Sequence, residues 1–164
     1  RPSPLMDVSE ISETINKLVK EGKIKSFGVS NFNASQIDMF KNKVKVSFNQ
    51  INLSLTTLDP IFDGTIEYMQ KNDIVPMAYS PLGSCFKDNN ETIEISLNNF
   101  SKKYNCSKDQ LLLAWLMKLP SKVHPVIGTT KSERIIKSAE SISINLNTID
   151  WFEILESSLG KRVP

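Results

Sequence analysis

The segment Gly128-Thr-Thr-Lys-Ser-Glu-Arg134 gathers groups that hold an anion: a glycine, two successive hydroxyls, two cations and the start of a helical pattern. It directly follows the apolar run His124 to Ile127. Free amides at a helix N-terminus, together with the helix dipole, favour negative charge there. Lys131 and Arg134 are three positions apart and so share one side of a first turn. Arg134 offers a paired-donor fork to a phosphate, and Lys131 a mobile point charge. The bland alternative is a solvated basic helix start already offset by Glu133. The Walker pattern is absent, so this is not a P-loop.

A second group has the chemistry of a flat amide. Ser30, Asn31 and Gln50 each follow or close a short apolar run. Asn31 and Gln50 each carry both a carbonyl acceptor and an amide donor, which matches the two functions of a carboxamide. Tyr79 adds an aromatic surface with a hydroxyl, and Ser80 follows it. Singly, these residues have plain readings: Asn31 caps a turn and Tyr79 packs. Other reactive types form no constellation. His124 is the only histidine and has no ligand cluster beside it, so no metal is expected. A nucleophilic triad has no support in spacing. Lys41, Lys43 and Lys45 lack interleaved aromatics and read as an exposed approach to a strand. Cys85 and Cys106 form no metal or redox motif and read as free cytoplasmic thiols.

These residues must be placed by elements whose periodicity is readable. Val8, Ile11, Ile15, Leu18 and Val19 recur at spacings of three and four, which predicts an amphipathic helix ended by Gly22. Asp7 and Glu10 stand where a reciprocal cap belongs. Strands are expected at Ile24 to Val29, Val46 to Gln50, Ile74 to Ala78 and His124 to Ile127. Between them, Asn33 with Gln36 starts a helix, and another runs from about Leu58 to Lys71. Tyr79-Ser-Pro-Leu-Gly83 ends the third strand, because proline removes an amide and glycine weakens a strand. A longer loop runs through Asn90, then helices span roughly Thr92 to Tyr104 and Lys108 to Lys118, the latter capped by Ser107 and Gln110. Thr130 with Glu133 is expected to cap the next helix. A last one begins near Thr148, with Ile149, Phe152, Leu155 and Leu159 facing inward.

Short strands separated by helices imply an α/β fold with parallel connections. No Gly-x-Gly-x-x-Gly follows the first strand, which argues against a dinucleotide-binding Rossmann domain. Periodicity alone does not separate a half barrel from an open four-stranded sheet. The chain has 164 residues, one domain's worth spanning 1–164, against about 250 for a complete (β/α)₈ barrel. A net charge of +2 gives no global case for nucleic acid. No apolar run is long enough to cross a membrane, and the first residues lack a signal-peptide core. A cytoplasmic location is therefore expected. The missing initiator methionine fits a cloned segment, a processed product or a fragment.

Four ordered motifs resemble the aldo-keto reductase family, especially bacterial oxidoreductases of the short-loop type. They are Gly22-Lys-Ile-Lys-Ser-Phe-Gly-Val-Ser-Asn-Phe32, Phe48-Asn-Gln50, Ala78-Tyr-Ser-Pro-Leu-Gly83 and Pro125-Val-Ile-Gly-Thr-Thr-Lys-Ser-Glu-Arg134. The resemblance covers essentially the whole chain and implies the last four strands, with their helices, of a (β/α)₈ TIM barrel. It implies that Ser30, Asn31 and Gln50 hold a nicotinamide carboxamide and that Tyr79 stacks on the ring. Ser80, Leu82 and Gly83 then lie along the pyrophosphate. Gly128, Thr129, Lys131 and Arg134 lie near the adenosine phosphate, favouring NADPH over NADH. Thr129 and Ser138 depart from the commonest family choices, and Gly128 stands where many relatives have lysine.

The family's catalytic aspartate, tyrosine, lysine and histidine belong to its N-terminal half, and none maps onto this chain. The resemblance thus implies a parent enzyme reducing aldehydes or ketones with NADP(H), and a chain that is inactive alone. A half barrel also leaves strand edges unpaired, so self-association or pairing with the N-terminal half is expected. A non-catalytic nucleotide-sensing or interaction module remains the competing reading.

Overall fold

The computed structural model describes residues 1–88 and 90–163. Helix α1 (Val8–Lys20) precedes strand β1 (Phe27–Ser30), and α2 (Ala34–Asp38) leads to β2 (Val46–Asn52). Helices α3 (Asp59–Phe62) and α4 (Thr65–Lys71) lead to β3 (Val75–Tyr79), and α5 (Glu91–Lys103) and α6 (Lys108–Met117) to β4 (His124–Val126). Helix α7 (Ser132–Glu140), a 3-10 turn at Ser141–Ser143 and α8 (Thr148–Leu159) complete the described order.

The four strands are all parallel and lie in sequence order, β1-β2-β3-β4. That order decides between the two architectures left open by periodicity. A doubly wound sheet reverses its strand order and carries helices on both faces. Right-handed crossovers between successive neighbours instead put every helix on one face, as in a barrel. Burial follows this rule. Val29, Asn49, Ile51, Pro76 and Ala78 are buried on the helix side. Their alternates Ser30, Phe48, Gln50, Met77 and Tyr79 are only partly covered. The sheet is half of a barrel wall, and its uncovered face is the one a closed barrel would enclose.

The core lies between the sheet and the helices. Leu111 to Leu116 of α6 are all buried, so this helix has no polar side and is enclosed by its neighbours. Trp115 and Trp151 stack with centroids 5.0 Å apart. Each indole donates to the other's backbone carbonyl, at 3.1 and 2.9 Å. That reciprocal pair sets the rotation of α8. Trp151, Ile154 and Leu155 face inward, whereas Ile149 and Phe152, expected inside, are 70% and 40% exposed.

Local signals explain most element starts. Asn33 with Gln36 and Ser107 with Gln110 form the expected reciprocal caps. Asp7 accepts from the amides of Ser9 and Glu10, but among the described residues Glu10 returns no bond and stays exposed. The single helix expected from Leu58 to Lys71 is two, because Gly64 takes φ +85° and Asp63 Oδ1 accepts from the Thr65 amide. The first strand starts at Phe27 rather than Ile24. Thr130 does not cap α7. Thr129 Oγ1 instead accepts from the Lys131 amide at 3.2 Å, and Lys131 becomes the residue before the helix. The predicted loop after Gly83 includes Asn89, which lies outside the described residues.

Candidate functional site

The strands' C-terminal ends carry one group of expected residues. Ser30 is paired in register with Gln50, which places both on the uncovered face. Tyr79 is in register with Asn52 and Val126, two steps further along the same face. Asn31 has φ +56°, a left-handed conformation that asparagine tolerates better than most residues. Its amide donates to the Gln50 carbonyl at 2.8 Å and extends the ladder past the strand end. Ser30, Asn31 and Gln50 are therefore brought together, and Tyr79 shares their sheet face.

The second group lines a cavity of about 810 Å³ between the loop after β3 and the start of α7. Ser80, Leu82 and Gly83 form one wall, and Gly128, Thr129 and Arg134 the other. Ser80 and Gly83 have φ of +51° and +56°, and the Gly83 amide closes the turn onto the Ser80 carbonyl at 2.8 Å. Glycine is required at 83: a Cβ there would sit 2.2 Å from Thr56 Oγ1 and 2.5 Å from Ser54 Oγ. Lys131 is an exposed residue at the mouth of α7 and does not line this cavity. Its place among the walls is taken by Lys137, one turn beyond Arg134.

The donor set of these walls suits phosphate: hydroxyls of Ser80 and Thr129, a guanidinium and an ammonium. Asp109, in the first turn of α6, is the carboxylate among them. Cys85 lies just behind the wall, and burial pushes its thiol up to about 11, with the charge of Asp88 adding to the effect. It is an inert thiol at neutral pH.

Sequence reasoning missed Asp109, Lys137, Asn49 and Thr56. Asn49 left a readable trace: period-two alternation puts it on the buried face beside Ile51, and a polar side chain there needs partners. Its Nδ2 donates to the Phe32 carbonyl at 2.8 Å, and its Oδ1 accepts from the Phe32 amide at 3.4 Å. The remaining candidates stay apart from the site. His124 is exposed, with Nδ1 2.8 Å from the Lys122 carbonyl. Among the described residues no three His, Cys, Asp or Glu side chains form a metal cluster. Lys41, Lys43 and Lys45 are exposed at the opposite end of the sheet, where Lys43 Nζ donates to Ser9 Oγ.

Four parallel strands in sequence order with every helix on one face define half of a (β/α)₈ barrel. The sequence pattern of the Aldo/keto reductase family matches residues 1–158, and the chain belongs to that family. It is 33% identical to the 6-dehydroglucose reductase of Agrobacterium fabrum, across 99% of this chain and 56% of that protein. It is 31% identical to the NADPH-dependent alpha-keto amide reductase of Saccharomyces cerevisiae, across 94% of this chain and 50% of that one. The crystal structure of the aldo-keto reductase from Klebsiella pneumoniae in complex with NADPH superposes with a TM-score of 0.82 at 23% identity, covering 94% of this chain and 54% of that one. The chain thus spans about half the length of the relatives it matches.

Proposed function

We propose that this chain supplies the NADP(H)-holding half of an enzyme that reduces aldehydes or ketones to alcohols. The observation that carries the reading is the groove uniting Ser80, Leu82 and Gly83 with Gly128, Thr129 and Arg134, beside the Ser30–Asn31–Gln50 group, in a chain of this family. The donor sets fit the two ends of the cofactor. Ser30, Asn31 and Gln50 pair with the carboxamide, and Tyr79 lies against the ring. Ser80, Leu82 and Gly83 follow the pyrophosphate. Gly128, Thr129 and Arg134 hold the adenosine phosphate, with Lys131 adding charge from outside the groove.

NADPH, when bound, supplies hydride to the carbonyl carbon. This chain orients the cofactor; the family's proton donor and its partners belong to the N-terminal half of the barrel, which this chain does not match. The chain alone is therefore expected to turn over little or no carbonyl. Its open sheet face and strand edges are completed by the N-terminal half, or by self-association when that half is withheld. The two free thiols support a reducing compartment, and we place the protein in the cytoplasm.

Calorimetric titration of NADPH tests this, with the chain alone and mixed with a separately produced N-terminal half. Binding together with carbonyl-dependent NADPH oxidation in the mixture is the expected result. Binding without oxidation across a panel of aldehydes and ketones would favour the nucleotide-sensing module instead. Absence of binding in both samples would sink the cofactor site.

A further inference from the structure

We infer that β2 and the turn after it brace both cofactor loops, with Asn49 and Thr56 as positioning residues that touch no ligand themselves; this rests on the NADP(H) reading above. Asn49 is fully buried on the helix side of β2. Its primary amide pairs with both backbone groups of Phe32. Phe32 is itself buried against Phe40, with ring centroids 6.0 Å apart. The residue between this clamp and β1 is Asn31, in its left-handed conformation, with its amide on the Gln50 carbonyl. Bonds from two successive β2 residues, Asn49 and Gln50, thus fix the backbone that aims the Asn31 side chain.

Seven residues beyond Asn49, the same chain segment holds the other loop. Thr56 Oγ1 accepts from the Ser84 amide at 3.0 Å, directly after Gly83. Thr56 is held in turn: its amide donates to Ser54 Oγ at 3.2 Å, and the two hydroxyl oxygens are 3.3 Å apart. Ser54 and Thr57 exchange backbone hydrogen bonds across the turn, and Ser158 Oγ of α8 donates to the Leu55 carbonyl. Ser54 and Leu55 are fully buried, so the turn is not a loose tip. The Ser80–Ser84 loop rests on it closely enough that only glycine fits at 83.

The consequence is geometric. The carboxamide end and the pyrophosphate end of the site are both referenced to β2 and the turn that follows it, so this one segment sets the distance between them. Loosening either clamp releases one end alone, and binding that depends on positioned groups is sensitive to small displacements.

The test uses the chain mixed with its N-terminal half and four variants: Asn49→Asp, Asn49→Ser, Thr56→Val and Thr56→Ser. Amide exchange is read without cofactor at Phe32 and Ser84, NADPH affinity by titration, and folding by the urea midpoint. N49D keeps the acceptor for the Phe32 amide and loses the donor; N49S, which carries no charge, also serves for affinity if N49D does not fold. The expected result is faster exchange at Phe32 only in N49S, whose shorter side chain does not reach that amide, and at Ser84 only in T56V; N49D, which keeps the acceptor, is read by affinity. Each loosened variant should bind NADPH about fivefold to tenfold more weakly, the scale of one net hydrogen bond. T56S, which keeps the hydroxyl, should restore both readouts. Wild type that binds NADPH while N49D or N49S and T56V bind within twofold of it overturns the brace alone, as does unchanged exchange at both amides. Wild type that fails to bind overturns the cofactor reading itself and the brace with it.

Discussion

Gly83 in the groove wall and Cys85 behind it show how tightly single positions there are constrained. Gly83→Ala would meet two hydroxyl oxygens and hold a side chain at φ +56°. A stability loss of about 1–3 kcal/mol is expected from backbone strain of this kind, read as a lower urea midpoint. Alkylation of Cys85 should be slow at pH 8 and rise about tenfold per pH unit towards its pKa of about 11, because only the thiolate reacts. A rate that levels off near pH 9 in mass-resolved labelling would contradict its burial. The groups lining the groove were legible because glycine, hydroxyls and a helix start in series are a local pattern. Ser30 and Gln50 were legible as types, though only parallel pairing puts them side by side. The side on which Lys131 lies is not encoded by its spacing: the Thr129 hydroxyl, not Thr130, accepts from the Lys131 amide, and Lys131 stands exposed before α7. Asn49 and Thr56 act on residues 17 and 28 positions away, a relation that periodicity does not encode.

A cluster of polar side chains joins α5 to α8. Asp150 is 3% exposed and accepts from Lys103 Nζ at 2.8 Å and Tyr104 Oη at 2.5 Å. The Asn147 amide donates to the same Tyr104 hydroxyl, and Asn147 Oδ1 accepts from the Asp150 amide to cap α8. Burial pushes the Asp150 carboxyl up, but hydrogen bonds from Lys103 and Tyr104 outweigh it and leave it below the ordinary value. A carboxyl depressed by folding stabilises the native state above its unfolded pKa of about 3.9, and that contribution is lost as pH falls through the lower folded value. Acid titration of the urea midpoint should show this loss below about pH 4, and Asp150→Asn should remove that part of the slope. Asp150→Ala should cost about 2 kcal/mol at neutral pH, since it leaves charged and phenolic partners unmatched. Helix existence was readable here from caps and spacing. The rotation of α8 was not, because the stacked tryptophans, 36 residues apart, decide which face turns inward.

At the scale of the molecule, the open sheet face dominates. Among the described residues, strand β1 has no neighbour on one side and β4 none on the other. Helix α7, beside the β4 edge, has no buried residue, and its Ile135 and Ile136 are 45% and 60% exposed. At the β1 edge, Ile11, Ile15 and Phe27 border a cleft of about 520 Å³ between α1 and the strand. Two copies related by a two-fold axis along the strands would set the β4 edge of each against the β1 edge of the other. Eight parallel strands would then surround one interior, the number that closes a barrel of this kind. On the proposed reading the same edges would serve the N-terminal half, and the two occupants would compete. The expected outcome is that the 18.5 kDa chain elutes as a dimer or larger species when alone, and as a one-to-one complex once the N-terminal half is added. Ile136→Lys, at an exposed position, should weaken the self-association without lowering the urea midpoint, because the folded chain already leaves that side chain in water. A strictly monomeric chain that also fails to bind an apolar dye would mean that the open face is covered by a rearrangement of its own helices.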